Sequence, residues 1–182
     1  DGDTIEDHYD LDDDGDGFTD EVEIAYGSNP RDSNSLANAA PNSLALTNNT
    51  FQENMPVGST IGIFNASDPD TNSSLSISMA AGSGSVNNTL FQIDGNSSLK
   101  TKHVHDFESH DRNYSIRIKV EDEHGFKLEK VFSISLQNEV EDLDGDTIED
   151  HYDLDDDGDG FTDEVEIAYG SNPRDSNSLA NA

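Results

Sequence analysis

Asn113-Tyr-Ser-Ile-Arg-Ile-Lys-Val-Glu-Asp122 is the stretch on which the fold turns. Tyr114, Ile116, Ile118 and Val120 occupy every second position, with polar residues between them. Side chains alternate across a strand, so one apolar row faces a core and the other row faces water. The same period of two recurs at Leu44 and Leu46, at Ile61 and Ile63, at Leu75, Ile77 and Met79, and at Phe132, Ile134 and Leu136. Clusters of Gly, Asn and Ser separate these runs. About seven half-buried antiparallel strands in roughly 100 residues predict a β-sandwich.

Outward from this core the composition changes. The chain has 182 residues, 40 Asp+Glu against 9 Lys+Arg, and a formal charge of −31. That balance excludes nucleic-acid binding through a basic footprint. With 31% hydrophobic residues and neither Cys nor Trp, one core of moderate size is available, without disulfides or thiolate metal sites. No apolar run approaches ~18 residues, so this segment reads as having no membrane span. Asn42 to Glu141 carries a net −6, while Asp1 to Pro41 carries −12 and Asp142 to Ala182 carries −13. The flanks repeat: Asp1 to Ala39 recurs without a change as Asp144 to Ala182, an offset of 143 residues. The expected organisation is an acidic block at 1–40, a sandwich at 41–141 and a second block at 142–182, as in a window cut from a tandem array. With no initiator Met, the lack of a signal peptide is uninformative.

Asp142 to Glu166 holds 13 acids and no base. Such a run is ordinarily a solvated, disordered tail, because carboxylates ~7 Å apart repel by roughly 0.6 kcal/mol per pair even in water. Its spacing argues otherwise. Asp155, Asp157 and Asp159 alternate, and Gly160, Phe161, Asp163 and Glu166 follow. A hard cation with six to eight oxygen ligands needs carboxylates at loop positions 1, 3, 5 and 12, a turn glycine at 6 and a carbonyl at 7. Thirteen residues earlier, Asp142, Asp144, Asp146, Ile148, Asp150 and Asp153 fall on the same grid, with Thr147 in the glycine position, which predicts a weaker or strained loop. In the first block Asp12, Asp14, Asp16, Phe18, Asp20 and Glu23 form a whole loop, while Asp1, Asp3, Asp7 and Asp10 form an incomplete one. The loop chemistry favours several Ca2+ ions per repeat over Mg2+, which keeps more of its waters. A short helix behind each second loop should stop at Gly170 and Asn172-Pro173.

These blocks resemble prokaryotic thrombospondin type 3 repeats, which share the Asp-x-Asp-x-Asp-Gly loop, the Thr-Asp-x-x-Glu exit and the ending seen at Gly27 to Pro30 and Gly170 to Pro173. Animal members pair cysteines in these repeats; this chain has none, so ions alone would have to order it. The middle segment resembles a bacterial or archaeal cadherin domain. The resemblance rests on Phe51-Gln-Glu53-Asn54 with Pro56 and Gly58, Asp68-Pro-Asp70, Phe91 to Gly95, Asp106-Phe107-Glu108, and Tyr114 to Asp122 with Gly125. It implies a seven-stranded Greek-key sandwich and two calcium clusters at opposite poles. Asp68, Asp70 and Asp122 would face the preceding block, and Glu53, Asp106 and Glu108 the following one. Two departures bear on the lower cluster: His105 stands where the family has an apolar residue, and Gln137-Asn138-Glu139 replaces the usual Asp-x-Asn-Asp linker. Without Trp, strand exchange of the vertebrate type is excluded.

Asn48, Asn65, Asn72, Asn87, Asn96 and Asn113 each open an Asn-x-Ser/Thr sequon, so N-glycosylation stands beside plain turn chemistry as their reading. His103 and His105, at spacing two on one strand face, read as surface histidines rather than zinc ligands. No nucleophile triad or phosphate loop is legible, so no enzyme is expected. The expected function is a calcium-rigidified structural and adhesive repeat of a long extracellular surface protein or filament. Its partners would be neighbouring repeats of the same chain, other copies of itself, or surface glycans. The alternative is a calcium-dependent carbohydrate-binding module of a secreted polysaccharide-degrading protein, which 13 aromatics and no Trp make a poor sugar platform.

Overall fold

The computed structural model describes residues 2–70, 72–95 and 97–180. Between residues 43 and 137 eight strands form two four-stranded sheets packed face to face. One sheet holds β1 (Ser43–Leu46), β3 (Thr60–Ser67), β6 (Ser98–Thr101) and β5 (Phe91–Ile93) in that order. The other holds β2 (Thr50–Gln52), β8 (Lys127–Gln137), β7 (Asn113–Glu121) and β4 (Ser76–Met79). The fold is mainly β. Only two seven-residue α-helices, α1 (Asp20–Tyr26) and α2 (Asp163–Tyr169), and a 3-10 turn at Asn88–Leu90 occur among the described residues.

The decisive stretch behaves as its alternation dictates: Tyr114, Ile116, Ile118 and Val120 are buried, with the polar residues between them half-exposed. They meet Leu44, Phe51, Ile61, Phe64, Phe91, Leu99, Ile134 and Leu136 in one core. Eight strands appear where seven are expected because the first is split. β1 pairs antiparallel with β3, then the chain crosses at Thr47 to Asn49 and β2 joins β8 in the other sheet, parallel. Gly62 makes room for that crossing, since a Cβ there would lie 2.4 Å from the Asn48 carbonyl oxygen. The same spot overturns one expectation of the alternation. A register irregularity between Thr60 and Gly62 puts Ile61 and Phe64 in the core, and Ile63 is left 45% exposed.

His103 and His105 lie beyond the end of β6, not on a strand, and His105 is no surface residue. It is 3% exposed, stacked on Phe91 at 5.9 Å between centroids, and its Nδ1 is 2.9 Å from the Tyr114 hydroxyl. An imidazole thus takes an apolar place by lending one nitrogen to a tyrosine. Burial, with His110 and His103 adding to it, holds the His105 pKa below 6.5. Burial, and then Asp111, pushes the Tyr114 pKa from 10.0 up to about 12.

These shifts have opposite consequences for stability. The unfolded chain protonates His105 first as pH falls, so stability is full above 6.5 and declines below it. Ionisation of Tyr114 in the unfolded chain erodes stability as pH rises from 10.0 towards 12. Urea unfolding of the sandwich in excess calcium should therefore give a plateau between these limits. His105→Leu should flatten the limb between pH 6.5 and the carboxylate range, at a cost of about 1–3 kcal/mol for the unpaired tyrosine hydroxyl. An unaltered acid limb in that variant would refute the assignment.

Candidate metal centres

The flanks have almost no apolar core. Ile5, Tyr9, Leu11, Ile24, Leu143, Tyr152, Leu154 and Ile167 are exposed, while the fully buried large side chains there are carboxylates, Glu23 and Glu166, each 0% exposed. The loops arise from local hydrogen bonding. In the loop that opens at Asp155, Asp155 accepts from Gly160 N–H, Asp157 from Asp159 N–H and Asp159 from Phe161 N–H, at 2.8–3.1 Å. Each aspartate thus gives one oxygen to the backbone and keeps the other. Asp155 Oδ1, Asp157 Oδ2 and Asp159 Oδ2 are buried without a hydrogen-bond donor, and so are both oxygens of Glu166. Gly160 supplies the left-handed turn at φ 94°. Asp155, Asp157 and Asp159 bring one carboxylate oxygen each within 4.8 Å of one another. Burial, and then the charges of Asp157, Asp159 and Asp163, raise the pKa of Glu166. A half-buried cluster of this kind, all oxygen and short of donors, has the donor set of a hard divalent cation; Glu166, at loop position 12, is not among its converging oxygens but is buried with both of its own oxygens unpartnered.

The loop at Asp12, Asp14 and Asp16 repeats this arrangement, with Gly17 at φ 99° and Phe18 N–H on Asp16. Glu23 Oε2 is buried without a donor, and its other oxygen accepts from Ser28. Asp142, Asp144 and Asp146 form a third cluster, and Ile148 N–H closes on Asp146 at 2.7 Å. At its turn Thr147 sits at φ 81°, as Thr4 does at 85°, a left-handed conformation that costs a β-branched residue about 1–2 kcal/mol. Asp144 abuts Gly158 so closely that a Cβ there would lie 2.6 Å from its Oδ2, so the two loops of a flank are packed together.

Position 9 departs from the grid. Asp163, Asp20 and Asp150 each give Oδ1 to a backbone N–H at loop position 2, from Asp156, Asp13 and Leu143. None of the three belongs to a cluster of converging oxygens among the described residues. Asp153 and Asp10 accept from Asp155 and Asp12 N–H, joining one loop to the next. The opening loop of the first flank is not assembled. Asp1 lies outside the described residues, Asp3 accepts from Ile5 N–H, and Asp7 pairs with Arg31 at 3.2 Å.

At the lower pole of the sandwich, Glu53, Asp106 and Glu108 converge within the same 4.8 Å. Glu53 is 1% exposed and accepts from Phe107 N–H and Glu139 N–H, both at 2.7 Å. Burial, then Glu53, with Glu149 and Asp106 adding, raises the Glu108 pKa. Sequence reasoning missed two acids that the end of the sandwich segment and the second flank bring here, Glu141 and Glu149. Asn54 Nδ2 donates to Glu141, and Asn138 Nδ2 donates to Glu149 at 2.7 Å. Their signal was present: both sit beside loop positions without being on the grid. At the upper pole, Asp68, Asp70 and Asp122 do not converge as closely among the described residues. Protein donors from the first flank hold the last two instead: Ala39 N–H and the Tyr26 hydroxyl on Asp70, and Asn38 Nδ2 on Asp122 at 2.9 Å, while Asp68 accepts from Asp70 N–H and keeps Oδ2 buried without a donor. Burial pushes the Asp122 pKa up, but hydrogen bonds from Asn38, Phe126, His124 and Gly125 outweigh it and leave the pKa lowered.

Among the sequons, Asn65, Asn72 and Asn113 are exposed, and Asn87 is half-buried with its Oδ1 on Ser115 N–H. Asn48 is engaged, its Nδ2 donating to the Thr50 and Ile61 carbonyls at 2.8 and 2.9 Å, and Asn96 lies outside the described residues. No described helix is long and apolar enough to cross a membrane.

The cadherin domain model matches residues 47–137, and the bacterial TSP3 repeat model matches residues 12–33 and 155–176. Among solved structures, human Protocadherin-24 EC1-2 is 23% identical, covering 55% of this chain and 53% of its own, with a TM-score of 0.45. Drosophila N-cadherin EC1-3 is 20% identical over 56% of this chain and 35% of its own, with a TM-score of 0.41. The chain thus spans about half the length of the protocadherin fragment it matches. No curated protein matches it. A sandwich matched across both sheets, framed by two Asp-loop repeats of a structural type, establishes that the chain belongs to the cadherin domain family and carries bacterial TSP3 repeats on either side.

Proposed function

We propose that the chain is a calcium-stiffened structural and adhesive unit of a long extracellular surface protein, in which the sandwich at 41–141 alternates with acidic connectors at 1–40 and 142–182. The observation that carries this reading is Glu166: a fully buried carboxylate with no donor on either oxygen, facing three aspartates of the loop it closes. Nothing apolar compensates that burial, so a divalent cation is the group that stabilises the connector. Asp155, Asp157, Asp159, the Phe161 carbonyl and Glu166 would hold one ion, and Asp12, Asp14, Asp16, the Phe18 carbonyl and Glu23 another. Asp142, Asp144 and Asp146 would hold a weaker one, and Glu53, Asp106 and Glu108 a further one at the joint. Calcium supplies charge neutralisation and multidentate crosslinking there. The protein's own groups preset the oxygens by the backbone hydrogen bonds described above.

Extracellular calcium, at millimolar levels, fills even weak loops of this kind, whereas cytosolic calcium leaves them empty. A connector that is stiff outside the cell serves a projecting strut. The natural partners are neighbouring repeats in the same chain and, in a filament, other copies. Exposed Asn65, Asn72 and Asn113 give such a strut places for a glycan coat.

Two measurements test the reading. Small-angle scattering and limited proteolysis of the chain, in calcium and then in EGTA, should show the flanks expanding and becoming cleavable while residues 43–137 stay resistant. Identical profiles in both buffers would end the proposal. In calorimetric titration, Thr147→Gly should tighten the loop at Asp142 by roughly 5–30-fold, by relief of about 1–2 kcal/mol of backbone strain. Glu166→Gln should weaken the loop at Asp155 and leave the Asp142 loop in place.

A further inference from the structure

Each acidic flank contains a single basic residue, Arg31 in the first and Arg174 in the second. Both make the same two contacts. Arg31 reaches Asp7 at 3.2 Å and Asp13 at 3.1 Å, and Arg174 reaches Asp156 at 3.1 Å and Asp150 in a closer contact. The recipients are loop position 9 of the opening loop and position 2 of the next, so one guanidinium spans both loops. Three of the four carboxylates lie deep: the side chains of Asp13, Asp150 and Asp156 are 6%, 5% and 9% exposed, whereas Asp7 is 65% exposed. The turn beyond α2 aims the arginine. Asn172 accepts from Arg174 N–H and Asp175 N–H, and Asn172 N–H donates to Ser178 Oγ at 3.0 Å. Arg174 also lines a groove of about 180 Å³ with Asp106, Glu108, Glu141, Asp150 and His151, at the joint between the sandwich and the second flank.

Two nearly buried carboxylates side by side need a cation, and here the chain brings its own. A guanidinium is permanently charged, and its planar fork can serve two carboxylates at once, which an ammonium on a flexible stem does less well. We propose that Arg174, and Arg31 in the first flank, is a tethered cation that occupies the place between the two loops. Asp150 and Asp156 therefore hold a guanidinium rather than a metal ion, and the two loops stay tethered at that one point while the rest of a calcium-free flank expands around it. This accounts for the packing of the Asp142 loop against the Asp155 loop. The ion-count part rests on the calcium reading above; the latch itself does not.

The test uses the full chain as wild type, Arg31→Gln/Arg174→Gln and Arg31→Lys/Arg174→Lys. Calcium bound at millimolar concentration is counted by equilibrium dialysis, and amide hydrogen exchange is followed in EGTA. The Gln variant should bind one additional ion, in the second flank, because only there does it leave two buried carboxylates, Asp150 and Asp156, uncompensated. In EGTA, the Asp150 and Asn172–Ser178 amides of that variant should exchange about tenfold faster or more. The Lys variant should retain the wild-type ion count. An unchanged count in the Gln variant overturns the proposal, and so does unchanged exchange. A wild type that binds no calcium would refute the calcium reading while the exchange data still decide the latch.

Discussion

The arrangement of the flanks follows from one constraint: they bury carboxylates in place of hydrocarbon. Glu23 and Glu166 are as inaccessible as any core leucine, yet each keeps an oxygen without a donor. Each lies in the first turn of a seven-residue helix too short to persist alone in water, so the helix exists only while its glutamate is held. Acidic residues in that turn favour the helix dipole, and a left-handed glycine ends it, but such terms amount to a few tenths of a kcal/mol up to about 1 each. In the calcium reading proposed above, cation binding and helix formation would be one event, and the ion concentration would set the shape of the connector.

The sandwich works by the opposite economy. Its core is Ile116, Ile118, Ile134, Leu99 and an aromatic group around Phe91, and truncating any one of the aliphatics to Ala would cost about 2–5 kcal/mol with no ion involved. The two regimes meet at Glu53. Its side chain accepts one N–H from Phe107, inside the sandwich, and one from Glu139, at the start of the connector. A single buried carboxylate therefore fixes the direction in which the chain leaves the sandwich. Glu108 and Asp106 beside it gather two more carboxylates at that exit, where the proposed joint ion would sit.

Much of this was legible beforehand where one local period decides the outcome. The alternation in β7 located the core, and the Asp-x-Asp-x-Asp spacing located three of the four carboxylate clusters among the described residues. What failed were contacts that a period cannot encode. Ile63 left the core because a backbone irregularity near Gly62 interrupts the alternation. Asp150 and Asp163 both sit on the grid, yet each turns Oδ1 to a backbone N–H, and Asp150 is further bound by an arginine 24 residues downstream. Asp68, Asp70 and Asp122 share a pole, yet Tyr26, Asn38 and Ala39 of the preceding flank hold the last two. His105 looked like a surface residue because its partner, Tyr114, is a neighbour only after β7 folds beside it. Asn48 carries a sequon, but its amide is tied up in the strand crossing.

The two copies of the 39-residue repeat separate what sequence dictates from what position dictates. Their second loops, helices and arginine bridges agree, so those features are intrinsic to the repeat. Their surroundings differ. In the first copy Phe18 lies 5.3 Å from the ring of His124, and Tyr26 bonds Asp70, so that copy leans on the sandwich that follows it. The second copy leans on the sandwich before it, through the Asn138 contact to Glu149 and the groove around Arg174. Asp7 accordingly stays 65% exposed, whereas its counterpart Asp150 is 5% exposed. The two docking faces lie at different ends of the same repeat and use different residues. One connector therefore has a face for a sandwich on each side, and in the reading proposed above the arginine between its loops would carry stiffness from one joint to the next.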